Sequence, residues 1–181
     1  MIALFAAIIC CGAFIKIPLG VIPLVLQNAL CILCGVLLGG FWSAAPTGLF
    51  LLAGLIGLPV YSGGSGGLAV WLGPTGGFLP GYLLGALVAG LIAGRPRTEE
   101  RQPTPKQVLR ISLAIVAGMV VLYIPGVIRF AYWEESSSLS YTLWACLIPF
   151  IPGDILKIAI IIPLAIKLRP LVAQYLYADT N

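Results

Sequence analysis

No Asp, Glu, Lys or Arg occurs between Lys16 and Arg95, so most of the N-terminal half of the chain has no charged side chain to offer water. The apolar runs inside that stretch are long and continuous. A barrel strand would instead alternate polar and apolar residues over about ten positions, so the pattern argues for helices in a bilayer. Composition extends the argument to the whole chain, with 60% hydrophobic and 9% charged residues and a mean hydropathy of +1.08, far from a soluble domain. The 181 residues allow about six spans of roughly 20 residues with short turns and leave no room for a soluble domain. The expected fold is an all-α integral membrane protein, a single domain over residues 1–181 built as a bundle of six transmembrane helices.

Taken in order, Ile2 to Ile15 reads as a first span, and with no Lys or Arg before Lys16 it lacks the basic segment of a signal peptide. It is short, which is consistent with a native start upstream of Met1. Lys16 to Pro23 breaks the helix with two prolines and Gly20 and is expected to turn outside. A second span, Leu24 to Gly40, carries Gln27 and Asn28 near its start; a third, Phe41 to Leu58, follows through a tight hairpin. Pro59 to Pro74 is rich in Gly and Pro, which disfavour regular helix. Its Val60, Tyr61, Leu68, Val70, Trp71 and Leu72 are too apolar for a solvated linker, so it is expected to fold over the bundle as a lid.

The fourth span, Thr75 to Gly94, places Gly77, Gly81 and Gly85 four apart, a ladder that lets helix backbones approach closely in lipid and, at its first turn, leaves room for a ligand. Arg95, Arg97, Arg101 and Lys106 then mark a cytoplasmic loop. The fifth span, Gln107 to Val127, runs out to Arg129, Glu134, Glu135 and three serines. Lys167 and Arg169 close the sixth on the basic side, so both termini are expected in the cytoplasm. Leu139 to Leu168 as one helix would measure about 45 Å, and Pro149 and Pro152 interrupt it. The reading is therefore a short outer helix, Leu139 to Phe150, and a sixth span beginning at Asp154, with Asp154 at or beside the helix N-cap.

Asp154 and Lys157 are the only charges before Lys167 in that run. An ionisable residue at membrane depth costs roughly 2.5 to 3.5 kcal/mol on insertion scales, so a retained one has a partner or a task. At i and i+3 the two share one helix face. Together they offer an acceptor and a donor to one small polar group, and a cyclic urea would suit both; a simple intrahelical ion pair is the alternative. Gly73-Pro74-Thr75-Gly76-Gly77-Phe78 is a second candidate, because N–H groups at a helix start suit an anion such as a carboxylate; a plain helix start is the alternative there. Lys16 and Arg129 are further cations near the outer face, with headgroup anchoring favoured for Arg129. Trp71, Tyr61 and Tyr82 can pack on an apolar ligand or serve as core aromatics. Cys31-x-x-Cys34 lies in an apolar run of a chain without histidine, and small helix-packing cysteines are the favoured reading over a metal or redox site. No Walker A sequence occurs, so any energy from ATP must come from a partner.

Four segments carry a resemblance: Ile22-Pro-Leu-Val-Leu-Gln27, Gly57-Leu-Pro-Val-Tyr-Ser-Gly-Gly64, Leu72-Gly-Pro-Thr-Gly-Gly-Phe78 and Pro149-Phe-Ile-Pro-Gly-Asp-Ile-Leu-Lys157. In that order they resemble the signature segments of the BioY family, the biotin-specific S components of energy-coupling factor (ECF) transporters. The resemblance implies a multi-pass protein of a prokaryotic cytoplasmic membrane that binds biotin from the outer face beneath the loop between spans three and four. It places the family's ureido-binding Asp and Lys on Asp154 and Lys157. Beside these, the helix-start residues Thr75, Gly76 and Gly77, the aromatics Trp71 and Tyr82, and Gln27 are candidate substrate-binding residues, and the resemblance makes Ala3 and Ala7, an Ala-x-x-x-Ala pair on the first span, candidates for docking. The implied partners are a transmembrane coupling protein and two ATPases; no nucleic acid, metal or cofactor is implied, biotin being the cargo. The first span is shorter than the family's, and Phe78 stands where a Tyr is common. An S component for another vitamin, or an intramembrane enzyme using Asp154 and Lys157 as acid and base but lacking a nucleophile or metal set, are the alternative readings.

Overall fold

A computed structural model describes residues 1–17, 24–133 and 139–177. Among the described residues its regular elements are helices, one two-residue antiparallel pairing, β1 (Lys16–Ile17) with β2 (Leu24–Val25), and an isolated bridge between Tyr61 and Ser65. The helices are α1 (Ile2–Gly12), α2 (Gln27–Leu38), α3 (Ala45–Leu55), α4 (Leu68–Leu72), α5 (Phe78–Ala93), α6 (Pro105–Trp133), α7 (Leu139–Cys146) and α8 (Ile151–Tyr177). Two segments, Pro105–Trp133 and Ser140–Leu176, are long and apolar enough to cross a membrane. Ile2–Gly12, Gln27–Leu38, Gly40–Leu55 and Phe78–Ala93 are shorter apolar helical segments. Much of the turn expected at Lys16 to Pro23, and the segment with Glu134, Glu135 and the serines, lie outside the described residues.

The core is organised on α2 and α5. Nearly every side chain of α2 from Gln27 to Leu38 is buried, because the helix packs against α1, α3, α5, α6 and α8 at once. Cys31 and Cys34 are free and buried there, in keeping with the packing reading. The glycine ladder of α5 lies on α6. A Cβ added at Gly77 would stand 2.3 Å from Pro125 O, at Gly81 2.2 Å from Leu122 O, and at Gly85 2.6 Å from Gly118 O. Only glycine permits backbones this close, so dispersion and weak Cα–H···O contacts replace the hydrophobic drive that is missing between helices in lipid. The opposite faces of α6 and α8 carry exposed Leu109, Val120, Ile124, Ile155 and Ile160, as surfaces meeting hydrocarbon do.

Three sequence expectations change. The stretch Pro59 to Pro74 is not wholly irregular, because Leu68–Leu72, the five positions between Gly67 and Gly73, form the short helix α4. The fifth span does not stop at Val127, and α6 continues through Pro125 to Trp133; a proline is tolerated inside a membrane helix where neighbours support it. The break in the last segment falls at Leu147, and α8 begins at Ile151, with Pro152 in its first turn, where the missing N–H costs no helix bond. Asp154 is therefore already helical and is not the N-cap.

At the far end of α2 and α8 from Asp154, Arg169 is fully buried. Its Nε donates to Glu100 Oε2 at 2.8 Å and its Nη2 to Glu100 Oε1 at 3.3 Å. The same guanidinium donates to the carbonyls of Val36, Ala93 and Gly94. These are carbonyls at the C-terminal ends of α2 and α5, where helix dipoles favour a cation. One arginine thus ties three helices and the 3-10 turn Thr98–Arg101 together.

Candidate functional site

Lys157 lies one turn after Asp154 on α8, and its Nζ stands 2.9 Å from Asp154 Oδ1. The expected pair therefore exists, and only 8% of each residue is exposed. Two further groups complete it. Lys157 Nζ donates to Asn28 Oδ1 at 3.0 Å, and Asn28 Nδ2 donates to Asp154 Oδ1 at 3.3 Å. The backbone N–H of Ala29 fixes Asn28 from behind, donating to its Oδ1 at 2.8 Å. The Tyr123 hydroxyl donates to Asp154 Oδ2. Three helices, α2, α6 and α8, thus contribute to one buried ionic cluster, the condition under which a charge pair survives desolvation. The interaction that a helix cap would have made is replaced by these three partners.

The cluster forms one side of a cavity. Lys157, Asn28 and Tyr123 face it, while Asp154 sits behind them and holds all three. Its apolar wall includes Val25, Val70, Phe78, Leu79, Tyr82, Leu122 and Phe150, and its other polar groups come from Gln27, Ser62 and Thr75. Ser62 Oγ is buried without a hydrogen-bond partner among the described residues. Mostly apolar walls with a few convergent polar groups are what small-molecule sites share.

The segment over the cavity is tied down at several points. The Tyr61 hydroxyl donates to Leu51 O at 2.6 Å and accepts from Trp71 Nε1 at 2.8 Å. The Tyr61 ring also packs edge-on against Phe50. Gln27 Nε2 donates to Val60 O at 2.7 Å and to Ile9 O at 3.4 Å, and the Gly63 N–H reaches Ala13 O at 3.1 Å. Arg129 donates to the carbonyls of Leu72 and Gly73, at the end of α4, and its guanidinium lies over the Trp133 ring. The expected lid is a folded element, and Arg129 is hydrogen-bonded to its end.

The candidates therefore divide. Lys157, Gln27, Thr75 and Tyr82 line the cavity, and Asp154 supports Lys157 from behind. Trp71 stands back from it and braces Tyr61. Gly76 and Gly77 are pressed on backbone, where a Cβ would meet Trp71 O at 1.9 Å and Pro125 O at 2.3 Å. The Gly76 and Phe78 N–H groups close turns onto Gly73 O and Thr75 O. Ala3 and Ala7 lie on the exposed face of α1, opposite Phe5, Ala6 and Ile9. The side chain of Lys16 is outside the described residues. Asn28, Ser62 and Tyr123 were not among the candidate site residues; Asn28, noted beside Gln27 as a polar residue at the start of an otherwise apolar run, was the available signal.

The BioY family model matches residues 1–174. The chain belongs to the BioY family. A biotin transporter BioY of Rhodobacter capsulatus is 36% identical over 169 residues, covering 88% of this chain and 86% of its own. One from Thermotoga maritima is 32% identical over 169 residues, covering 93% of each chain. Among solved structures, a crystal structure of the S-component for biotin from an ECF-type ABC transporter superposes with a TM-score of 0.80 at 30% identity, over 93% of this chain and 88% of that one. The BioY membership foreseen from the four segments thus holds over nearly the whole chain, and the ionic cluster and lid belong to a family of membrane transporters rather than of enzymes.

Proposed function

We propose that the chain binds biotin as the substrate-binding S component of an ECF-type transporter in a prokaryotic cytoplasmic membrane. The observation that carries this reading is the cluster of Lys157, Asn28, Tyr123 and Asp154 at the wall of a lidded apolar cavity. A cyclic urea has one acceptor oxygen and two N–H donors. Lys157 Nζ supplies the donor and Asn28 Oδ1 an acceptor that no apolar ligand would need, with Asp154 behind them holding both in place. The apolar wall with Tyr82 and Phe78 suits a thioether ring and alkyl chain. Ser62 and Thr75 give a carboxylate two hydroxyl donors at positions that hold no buried cation.

In this reading α1, α2, α3, α5, α6 and α8 are six spans with both termini cytoplasmic. The basic side chains support the orientation, since Arg95, Arg97, Lys106 and Arg110 flank the α5–α6 turn and Lys167 and Arg169 lie near the end of α8. The lid then faces outside. Ala3 and Ala7 offer a small-residue face to a transmembrane coupling protein, and two ATPases supply energy that this chain has no motif to capture.

Purified protein should bind biotin tightly, and Asp154→Asn should weaken binding at least tenfold, because the neutral amide leaves Lys157 buried without a counter-charge. Unchanged affinity would remove Asp154 from the site. A thermal-shift panel of vitamins tests the cargo: stabilisation by thiamine or riboflavin and none by biotin would refute it.

A further inference from the structure

At the end of the bundle away from the cavity, the chain leaves α5 through Gly94, whose φ of +67 turns it sharply towards α6. Arg95, Arg97 and Arg110, with Glu100 and Gln107, line a cleft of about 240 Å³. Its acid is already committed, because Glu100 is buried and paired with Arg169 at 2.8 Å. Arg110 lies 3.6 Å from the same carboxylate but remains 46% exposed. Arg95 and Arg97 are exposed, and neither forms a hydrogen bond or ion pair with another described residue. With Lys106 in the first turn of α6 and Glu99 the one other acid on the turn, the cleft is cationic.

A second feature lies beside it. Gly39 packs on the Gly94 carbonyl, where a Cβ would stand 2.0 Å away, and this brings the 3-10 turn Gly40–Ala44 against Arg95. Phe41 and Trp42 on that turn are 82% and 66% exposed. Two adjacent bare aromatics are costly in water but settle at headgroup depth in a bilayer, with acyl chains on one side and phosphate on the other. Arginine forks match a phosphate in two parallel hydrogen bonds, and basic pockets at the cytoplasmic ends of membrane helices suit anionic headgroups.

We infer that the cleft of Arg95, Arg97 and Arg110, beside Phe41 and Trp42, binds the phosphate of an anionic phospholipid in the inner leaflet. The inference rests on the orientation proposed above and is independent of the cargo. The lipid phosphate takes Arg95 and Arg97, its glycerol and acyl chains run past Phe41 and Trp42, and Arg110 turns from Glu100 to share it. The site places the α5–α6 turn, which Arg169 ties to α2 and α8, in contact with the membrane surface.

The test is titration of the full chain in detergent with phosphatidylglycerol or phosphatidylcholine, read by native mass spectrometry. Phosphatidylglycerol should bind at least tenfold tighter than phosphatidylcholine. Replacing Arg95→Gln and Arg97→Gln should each weaken phosphatidylglycerol binding about fivefold, with Arg→Lys variants keeping most of it. These two side chains are exposed and unpaired, so folding is not at stake, and biotin affinity measured on the same samples should not change. Equal binding of both lipids, or wild-type phosphatidylglycerol binding by the double glutamine variant, would overturn the site. Competition by millimolar inorganic phosphate would assign it to a free phosphate ligand instead. Loss of partner-dependent uptake with lipid binding intact would assign it to a protein surface.

Discussion

Removing Arg169 offers the sharpest separation of what holds this fold from what binds its ligand. Arg169→Leu deletes a fully buried guanidinium and leaves Glu100, itself only 3% exposed, without its close partner. Breaking a buried pair from one side costs about 3–5 kcal/mol, because the remaining charge is desolvated and unpaired. Arg110, 3.6 Å away and half in solvent, can recover only part of that, since exposed pairs contribute about 0–1 kcal/mol. The carbonyls of Val36, Ala93 and Gly94 lose a donor as well. Thermal unfolding in detergent should therefore drop by on the order of 10 °C. The double variant Arg169→Leu/Glu100→Leu should regain most of the loss, as apolar replacement of a whole buried pair is often neutral. Lys157 lies about 18 Å away along α8, so biotin affinity of the folded fraction should stay within about twofold. A single variant as stable as the wild type, or a double variant no better than the single one, would refute the clamp.

Tyr123→Phe removes a hydrogen bond to a buried carboxylate, worth about 1.5–3 kcal/mol, so biotin should bind roughly tenfold more weakly by calorimetry if Asp154 positions the ligand. Gly81→Leu should abolish recovery of folded protein in size-exclusion chromatography, since even a Cβ there meets Leu122 O at 2.2 Å. Gly48→Ala should pass unnoticed, because its nearest neighbour is a flexible Leu83 methyl at 3.7 Å. Tyr61→Phe unties the lid from Leu51 of α3 and removes the Trp71 contact that braces it from within, and stopped-flow should show biotin leaving several-fold faster at a little-changed association rate.

Much of this protein was legible in one dimension. Hydrophobicity is additive along a chain, so the membrane location and the helical class follow from local composition alone, whereas the breaks do not, since α6 runs through Pro125 and the last break falls at Leu147. The i, i+3 spacing put Asp154 and Lys157 on one face before any neighbour was known, and the four-residue glycine spacing announced a close helix contact without naming α6 as its partner. What surrounds these features depends on groups far apart in the chain. Asn28 and Tyr123 reach Asp154 from helices 126 and 31 residues away, and Glu100 meets Arg169 across 69. No local pattern encodes such pairings. They arise because a buried polar atom must find whatever donor or acceptor the packing brings near it. The same packing decided that Arg129 holds the lid and that Asp154 sits behind the cavity wall, supporting groups that the sequence alone had not distinguished from it.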